Sequence, residues 1–335
     1  MRKSTYDLEY KSILDLFETQ KAIKFVKDTF EKDFAEAMNL TRVTAPLFVI
    51  PNTGLNDNLN GFERPVSFDI PSVGETAEIV HSLAKWKRMA LGKYSFAPNS
   101  GLYTDMNAIR RDEDLDCIHS CYVDQWDWEK VITDQDRTVE YLKETVRKIY
   151  KVLKDVERKV YAKYAEYVPV LPKEITFVST KELEEMYPNN TRKEREDLIC
   201  QKYKAVFLYQ IGWPLKDGAS HDGRAADYDD WNLNGDILLW YDLYEMALEI
   251  SSMGIRVDKE ALKNQIIARK EEYKFENEFC QSILNDTIPL SVGGGLGQSR
   301  ICMFFLRKAH IGEVQVSLWN KDEIEKLKKK NIYLL

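Results

Sequence analysis

The β-rich runs of this chain do not alternate with helices, and that fact most restricts what the chain can fold into. They recur at 66–70, 77–80, "CIHSCYVD" (117–124), 174–178, "AVFLYQI" (205–211), "DILLWY" (236–241) and "LEISSMGIRV" (248–257). A doubly wound parallel sheet needs a crossover helix between successive strands, and no regular succession of helices separates these runs. The pattern predicts an α/β protein of the α+β type, with a mostly antiparallel sheet flanked by helices. No linker, repeat or low-complexity segment divides residues 1–335, and 44% hydrophobic content suffices for a large core, so one domain is expected.

Two helical patterns stand out. Residues 5–39 carry Ile23, Val26, Phe30 and Phe34 at three- and four-residue steps. A longer helix is expected from about 134 to 165, where Val139, Leu142, Val146, Ile149, Leu153, Val156 and Val160 alternate the same steps. A helix packed on a sheet suits so short a run better than a coiled coil. "RVTAPLFVI" (42–50) adds a β-rich run whose Pro46 marks it as an edge or interface strand.

Bulk properties exclude several classes. Mean hydropathy is −0.45 and no apolar run approaches a bilayer span. "MRKSTYDLEYKS" lacks a signal-peptide core, so a cytoplasmic location is expected. The five cysteines (117, 121, 200, 280 and 302) show no metal-type spacing, so free thiols are expected. A net charge of −7 argues against a partner with a long phosphate backbone. The basic run "KDEIEKLKKK" is best explained as a solvated helix end.

"SVGGGLGQSRICMFFL" (291–306) suggests a nucleotide site, since glycines ahead of a helix let backbone approach a ligand. A Walker loop fails for want of Lys after the glycines. A Rossmann fingerprint fails because only 35 residues remain after Arg300. What remains is a glycine-rich strand on which a flat ligand lies, with Arg300 facing an anion or stacking on a base. A structural turn is the competing reading.

Three further stretches carry chemistry. In "NAIRRDEDLDCIHSCYVDQWDWE" (107–129), Arg110 and Arg111 suit bidentate phosphate contact. Gln125 and Asp127 share one strand face there and suit an ammonium group. A surface ion-pair turn competes. In "HSLAKWKR" (81–88), Lys85, Lys87 and Arg88 sit among apolar residues, so at least one cation is expected half-buried and aimed at an anion. Solvated cations on a helix compete. Residues 222–258 offer Asp227, Asp229, Asp230, Asp236 and Glu249, then Ser251, Ser252 and Arg256. Carboxylates on neighbouring strands suit Mg²⁺ with bridging phosphates, and Arg256 suits a small carboxylate. A solvated acidic loop competes. His81, His119, His221 and His310 have no metal spacing and are expected to be structural. Together the stretches equip a chain to adenylate a small amino acid.

At this level the sequence resembles the aspartate–ammonia ligase family, the ammonia-dependent asparagine synthetases A, over nearly its whole length. The resemblance rests on "TAPLF", "NDNLNGFERPV", "VHSLAKWKRMALG", "GLYTDMNAIRRDED", "YVDQWDWE", "AVFLYQIG", "DYDDW", "LNGDIL", "SSMGIRVD", "GGGLGQSR" and "HIGEVQ". That family is similar to the catalytic core of class II aminoacyl-tRNA synthetases, closest to the aspartyl and asparaginyl enzymes. The resemblance implies a homodimer, with Pro46 at the interface motif. It implies ATP contacts at Arg110, its rival neighbour Arg111, Glu113, Asp236, Glu249, Gly295 and Arg300, with Mg²⁺ on Asp236 and Glu249. It places aspartate against Ser82, Lys87, Gln125, Asp127, Asp229, Ser252 and Arg256, and gives catalytic roles to Arg110, Arg300 and Asp57. The chain departs from the family in an N-terminal extension and a short "DDWNLNGD" loop, which leaves the lid beside Asp229 and Asp236 open.

The implied reaction has two steps. The β-carboxylate of aspartate attacks the α-phosphorus of ATP, and ammonia then displaces AMP. Arg110, Arg300 and Mg²⁺ stabilise phosphate charge, Lys87 and Arg256 anchor aspartate, and Asp57 binds ammonium or accepts its proton. Residue 2 is Arg, where glutamine-dependent synthetases expose Cys, so free ammonia is the expected nitrogen source. The competing functions are a tRNA-charging core, disfavoured by the acidic charge and the lack of a preceding OB-fold-type module, and a non-catalytic synthetase-like regulator. No nucleic-acid or membrane partner is expected.

Overall fold

A computed structural model of the protein describes residues 4–51, 53–57, 59 and 63–335. Four positions of the "NDNLNGFERPV" motif (58 and 60–62) and residues 1–3 of the N-terminal stretch lie outside the described residues. The strands are β1 (Leu40–Arg42), β2 (Phe48–Val49), β3 (Ser67–Ile70), β4 (Glu75–Ile79), β5 (Gly101–Ile109), β6 (Tyr122–Val131), β7 (Thr176–Ser179), β8 (Ala205–Tyr209), β9 (Asp229–Tyr241), β10 (Met246–Arg256) and β11 (Ser291–Gly297). The helices are α1 (Leu16–Met38), α2 (Ala84–Lys93), α3 (Val139–Lys163), α4 (Thr180–Met186), α5 (Arg192–Tyr203), α6 (Lys259–Arg269), α7 (Glu278–Leu284), α8 (Gln298–Phe305) and α9 (Lys321–Lys328).

Eight strands form one sheet in the order β1-β5-β6-β11-β10-β9-β8-β7, while β2, β4 and β3 form a small second sheet. Every pairing from β5 across to β8 is antiparallel, and the two edge pairings, β1 with β5 and β7 with β8, are parallel. The expected antiparallel sheet is thus the centre of a mixed one.

Helix packing follows the predicted stripes. Val26, Phe30 and Phe34 of α1 and Leu142, Val146, Ile149 and Leu153 of α3 bury against Trp126, Trp128, Ile237, Leu239, Met253 and Val292 of the sheet. Phe30 stacks on Trp126 with ring centroids 4.6 Å apart. Helix α3 therefore packs on a sheet and on α1, as its short run required. On the opposite face α4 and α5 cover β8 and β9 through Leu183, Ile199, Leu208 and Leu238. Helix α2 covers β5 and β6 there through Leu91, Leu102 and Val131. Between α2 and α5 lies the cleft.

Several boundaries differ from the sequence reading, among them the start of α3 at Val139 and of β9 at Asp229, and three have clear local causes. Helix α1 starts at Leu16, because Asp15 caps it by accepting from Glu18 N at 2.8 Å. "RVTAPLFVI" splits into β1 and β2, with Pro46, which has no N–H to give a ladder, in the connection. "CIHSCYVD" is strand only from Tyr122, because Asp116 Oδ1 accepts from the backbone N–H groups of Ile118 and His119 and folds that segment into a turn. Strand β5 was not foreseen. Its "GLYTDMNAI" is buried on both faces for most of its length and shows no alternation.

His310 supports the end of the fold. Its Nδ1 accepts from Gly312 N at 3.0 Å, and its Nε2 lies buried, 3.6 Å from Glu323. Burial pushes the imidazole down to about 4, against the opposing charge of Asp116. A folded value below the unfolded one means that the unfolded chain binds more protons, so this stability is present above about pH 6.5 and is lost as pH falls towards 4. Chemical denaturation across pH 7 to 4 should show a loss of about 3 kcal/mol from this group, and His310→Asn should flatten that limb.

Candidate functional site

A cleft of about 400 Å³ opens over β6, β11 and β10, and β11 explains why it exists. Pairing sets Gly293 opposite Glu129 and Gly295 opposite Asp127 on one side, with Gly295 opposite Ser252 on the other. A Cβ on Gly293 would lie 2.0 Å from Glu129 Oε2, and one on Gly295 would lie 2.4 Å from Gln125 Oε1. Gly294 is closed from the core side, where a Cβ would lie 2.5 Å from Met253 Cβ. Gly293, Gly294 and Gly295 therefore leave the middle of a central strand without side chains, and the structural-turn reading fails. Neighbouring side chains lie across this strand, and Gly295 lines the cleft floor.

A ladder of buried charges crosses the floor. Lys87, 1% exposed, donates to Asp127 Oδ1 at 2.6 Å and to Gly294 O at 2.8 Å. Arg256 grips Glu129 through Nε at 2.9 Å and Nη2 at 2.7 Å, and its Nη1 pairs with Asp229. Ser291 Oγ donates to the same Glu129 carboxylate at 2.7 Å. Burial lowers the pKa of Lys87 despite Asp127, and raises that of Asp229 despite Arg256. Burial acts against ionisation of Glu129, but Arg256 together with Lys87 and Ser291 outweighs it and holds that carboxyl low. Lys85, Lys87 and Arg88 of α2 are all buried, not solvated: Lys85 pairs with Asp227 at 2.6 Å, and Arg88 donates to the carbonyls of Val257 and Pro289.

The "DDWNLNGD" segment, expected as a short loop, lies within β9. Its register with β10 shifts between Gly254–Asn234 and Arg256–Asp229. That irregularity sets Asp229 opposite Arg256 and places Trp231 against Trp213, with ring centroids 4.9 Å apart.

At the other end of the cleft stand Arg110, Glu113, Glu249 and Arg300. Arg300, in the first turn of α8, donates to Glu249 O at 3.1 Å. Arg110 sits just past β5 with its Nε buried and without a hydrogen-bond partner. Its rival Arg111 is exposed and is not part of the cleft wall, because the chain turns outward once Arg110 N has bonded Cys121 O at 2.8 Å. That separates the two arginines. Asp236 does not line the cleft directly. It pairs with Arg224, which does, and its Oδ1 is buried without a partner. Burial, with Glu249 and Asp222 adding to it and Arg224 opposing, pushes the Asp236 carboxyl up to about 7.

On the third wall, Asp57 is 2% exposed and accepts from Ser82 Oγ at 3.0 Å and Leu59 N at 2.9 Å. Gln125 and Ser252 also face the cleft. The histidines behave as expected for His81, His221 and His310, which are buried on Asp57 O, Glu196 and Gly312 N. His119 bonds Asp116, although it also borders the cleft. Sequence reasoning missed Glu129, Arg224 and Tyr228. Glu129 ends the quoted "DQWDWE", two positions after Asp127 on the same strand face, and that spacing could have found it. All five cysteines are free. Among the described residues no helix is long and apolar enough to cross a membrane.

Known proteins resemble this chain over nearly its whole length. The model of a family described as aspartate-ammonia ligase matches residues 17–331. An aspartate–ammonia ligase of Clostridium perfringens (strain SM101 / Type A) is 56% identical over 337 positions, covering 100% of each chain. The N-terminal segment is thus no extension relative to that protein. An aspartate–ammonia ligase of Lactiplantibacillus plantarum is 56% identical over 93% of this chain and 98% of its own. Among solved structures, Entamoeba histolytica asparaginyl-tRNA synthetase in complex with asparaginyl-adenylate matches with a TM-score of 0.63 at 12% identity. That match covers 90% of this chain and 66% of the synthetase. The Pyrococcus horikoshii enzyme, also complexed with asparaginyl-adenylate, matches with a TM-score of 0.59 at 15% identity. These likenesses show the class II synthetase core fold.

Gly293→Ala should force Glu129 off Arg256 and cost about 3 kcal/mol of unfolding free energy, measured by denaturant titration.

Proposed function

Because the chain belongs to the aspartate–ammonia ligase family, we propose that it makes L-asparagine from L-aspartate, ammonia and ATP through a β-aspartyl-AMP intermediate. The observation that carries this reading is one cleft with two chemically distinct ends. A rigid set of buried, paired charges stands at one end, and two arginines, Arg110 and Arg300, stand with acidic groups at the other.

Aspartate lies at the charge ladder. Lys87 and Arg256 meet its carboxylates, Gln125, Asp127 and Asp229 meet its ammonium, and Ser82 and Ser252 complete the wall. Its β-carboxylate oxygen forms a bond to the α-phosphorus of ATP, and the bond from that phosphorus to the pyrophosphate oxygen breaks. Arg110, with an uncommitted Nε, stabilises the charge on the α-phosphate, while Arg300 and the glycine floor hold the nucleotide. Ammonia then attacks the β-carbonyl carbon, AMP leaves with the bonding pair, and a carboxylate takes the surplus proton. Asp57 fits that last role, since Ser82 and Leu59 N hold it facing the cleft.

The residues present fit Mg²⁺. Asp236 has a buried oxygen without a partner and a carboxyl pushed up by burial and by Glu249, an excess of negative charge that a hard cation relieves. Asp236 and Glu249 would hold it, and when bound the ion neutralises phosphate charge. Among the described residues no cluster of three or more His, Cys, Asp or Glu is placed to hold a metal alone. That suits an ion completed by substrate phosphates. Exposed Leu47, Phe48, Ile50 and Phe68 around the small sheet support a homodimer through the Pro46 segment.

Purified protein with ATP, Mg²⁺, aspartate and ammonium should form AMP and asparagine in equal amounts. AMP formation that requires tRNA, or AMP without asparagine, would overturn the reading. Arg110→Ala should lower kcat by about 10²–10³ while circular dichroism stays unchanged.

A further inference from the structure

Helix α8 places Arg300, yet the helix carries no cap of its own. Its N-cap residue is Gly297, which offers no side-chain acceptor. The cap comes from another strand: Asp124, 6% exposed at the start of β6, accepts from Ser299 N through Oδ1 at 3.1 Å. A side-chain oxygen on the N–H of the second helical residue is the bond a local N-cap would make.

Two more residues hold that carboxylate. Gln315 donates from Nε2 to Asp124 Oδ1 at 3.2 Å and to Ser299 Oγ at 3.1 Å. Lys27, from α1 on the far side of the sheet, donates to Asp124 Oδ2 at 2.9 Å. Asp124 therefore ties four separate pieces of chain together: α1, β6, the start of α8 and the segment after His310. Arg300 is the next residue after Ser299, so the orientation of the first α8 turn sets the direction of its guanidinium. Asp124 alternates on β6 with Trp126 and Trp128, which pack against α1, whereas Gln125 and Asp127 face the floor glycines.

We propose that Asp124, braced by Lys27 and Gln315, is a positioning residue that aims Arg300 at the nucleotide. Asp124, Ser299 and Gln315 border the cleft, but both carboxylate oxygens of Asp124 are committed within the protein, so it acts through the helix. The inference rests on the reading of Arg300 as a nucleotide contact.

The test is a double-mutant cycle in the full-length protein, with steady-state KM measured separately for ATP and for aspartate. Asp124→Ala should raise the KM for ATP about tenfold and leave that for aspartate within twofold. Asp124→Asn, which keeps a capping oxygen, should recover most of the loss. In an Arg300→Ala background, Asp124→Ala should add less than twofold, because its effect passes through Arg300. If its tenfold effect persists in that background, or if the KM for aspartate rises equally, the inference is overturned. If Arg300→Ala alone leaves the KM for ATP unchanged, the nucleotide reading of Arg300 fails instead. Should Asp124→Ala not fold, Lys27→Met takes its place. It should raise the KM for ATP several-fold, and that effect should vanish in the Arg300→Ala background; an unchanged KM, or an effect that persists, overturns the inference.

Discussion

The absence of side chains at Gly293 and Gly295 on the cleft face of β11 is the constraint on which the site depends. Strands β6 and β10 are each one strand away from β11, so their side chains stand about 9–10 Å apart. Glycines at 293 and 295 leave that gap open, and Arg256 reaches across it to Glu129. A single methyl group at 293 would occupy the position of the Glu129 carboxylate. The same omission that lets the ion pair form leaves a flat floor for a ligand.

Pairing is obligatory for charges set this deep. Each buried ion loses several kcal/mol of hydration, recovered only when a counter-charge and further hydrogen bonds surround it. Glu129 meets that requirement with Arg256 and Ser291, and Lys87 meets it with Asp127 and a main-chain carbonyl. Such pairs add little net stability compared with apolar packing. Their consequence is rigidity, since donors and acceptors are fixed in direction before any substrate arrives. At the opposite end of the cleft Arg110 has an uncommitted Nε, so charge is left available to a ligand there.

The layers explain why the two ends differ. Helix α2 lies directly on β6 and β11 and delivers Lys87 into the floor, where it is sealed. Helix α8 instead leaves the end of β11 and presents Arg300 at the rim, still 23% exposed along its side chain. Its direction depends on Asp124, on a different strand.

Local signals were enough for much of this. Helical stripes in α1 and α3, the lack of regular strand–helix alternation, and the arginines and carboxylates of the cleft were legible because periodicity and residue chemistry are written in neighbouring positions. Boundaries were less legible: a capping Asp15 and a turn-forming Asp116 each override the pattern that runs through them. Strand β5 was hidden because burial on both faces removes alternation. Tertiary structure alone decided which of Arg110 and Arg111 enters the cleft, that "DDWNLNGD" is strand and not loop, and that Glu129 is the partner of Arg256. The first two depend on pairing between successive strands, β5 with β6 and β9 with β10, and the last on register between strands far apart in sequence. Lys87 and the Gly294 carbonyl it bonds are 207 positions apart, and no local pattern carries a contact of that range.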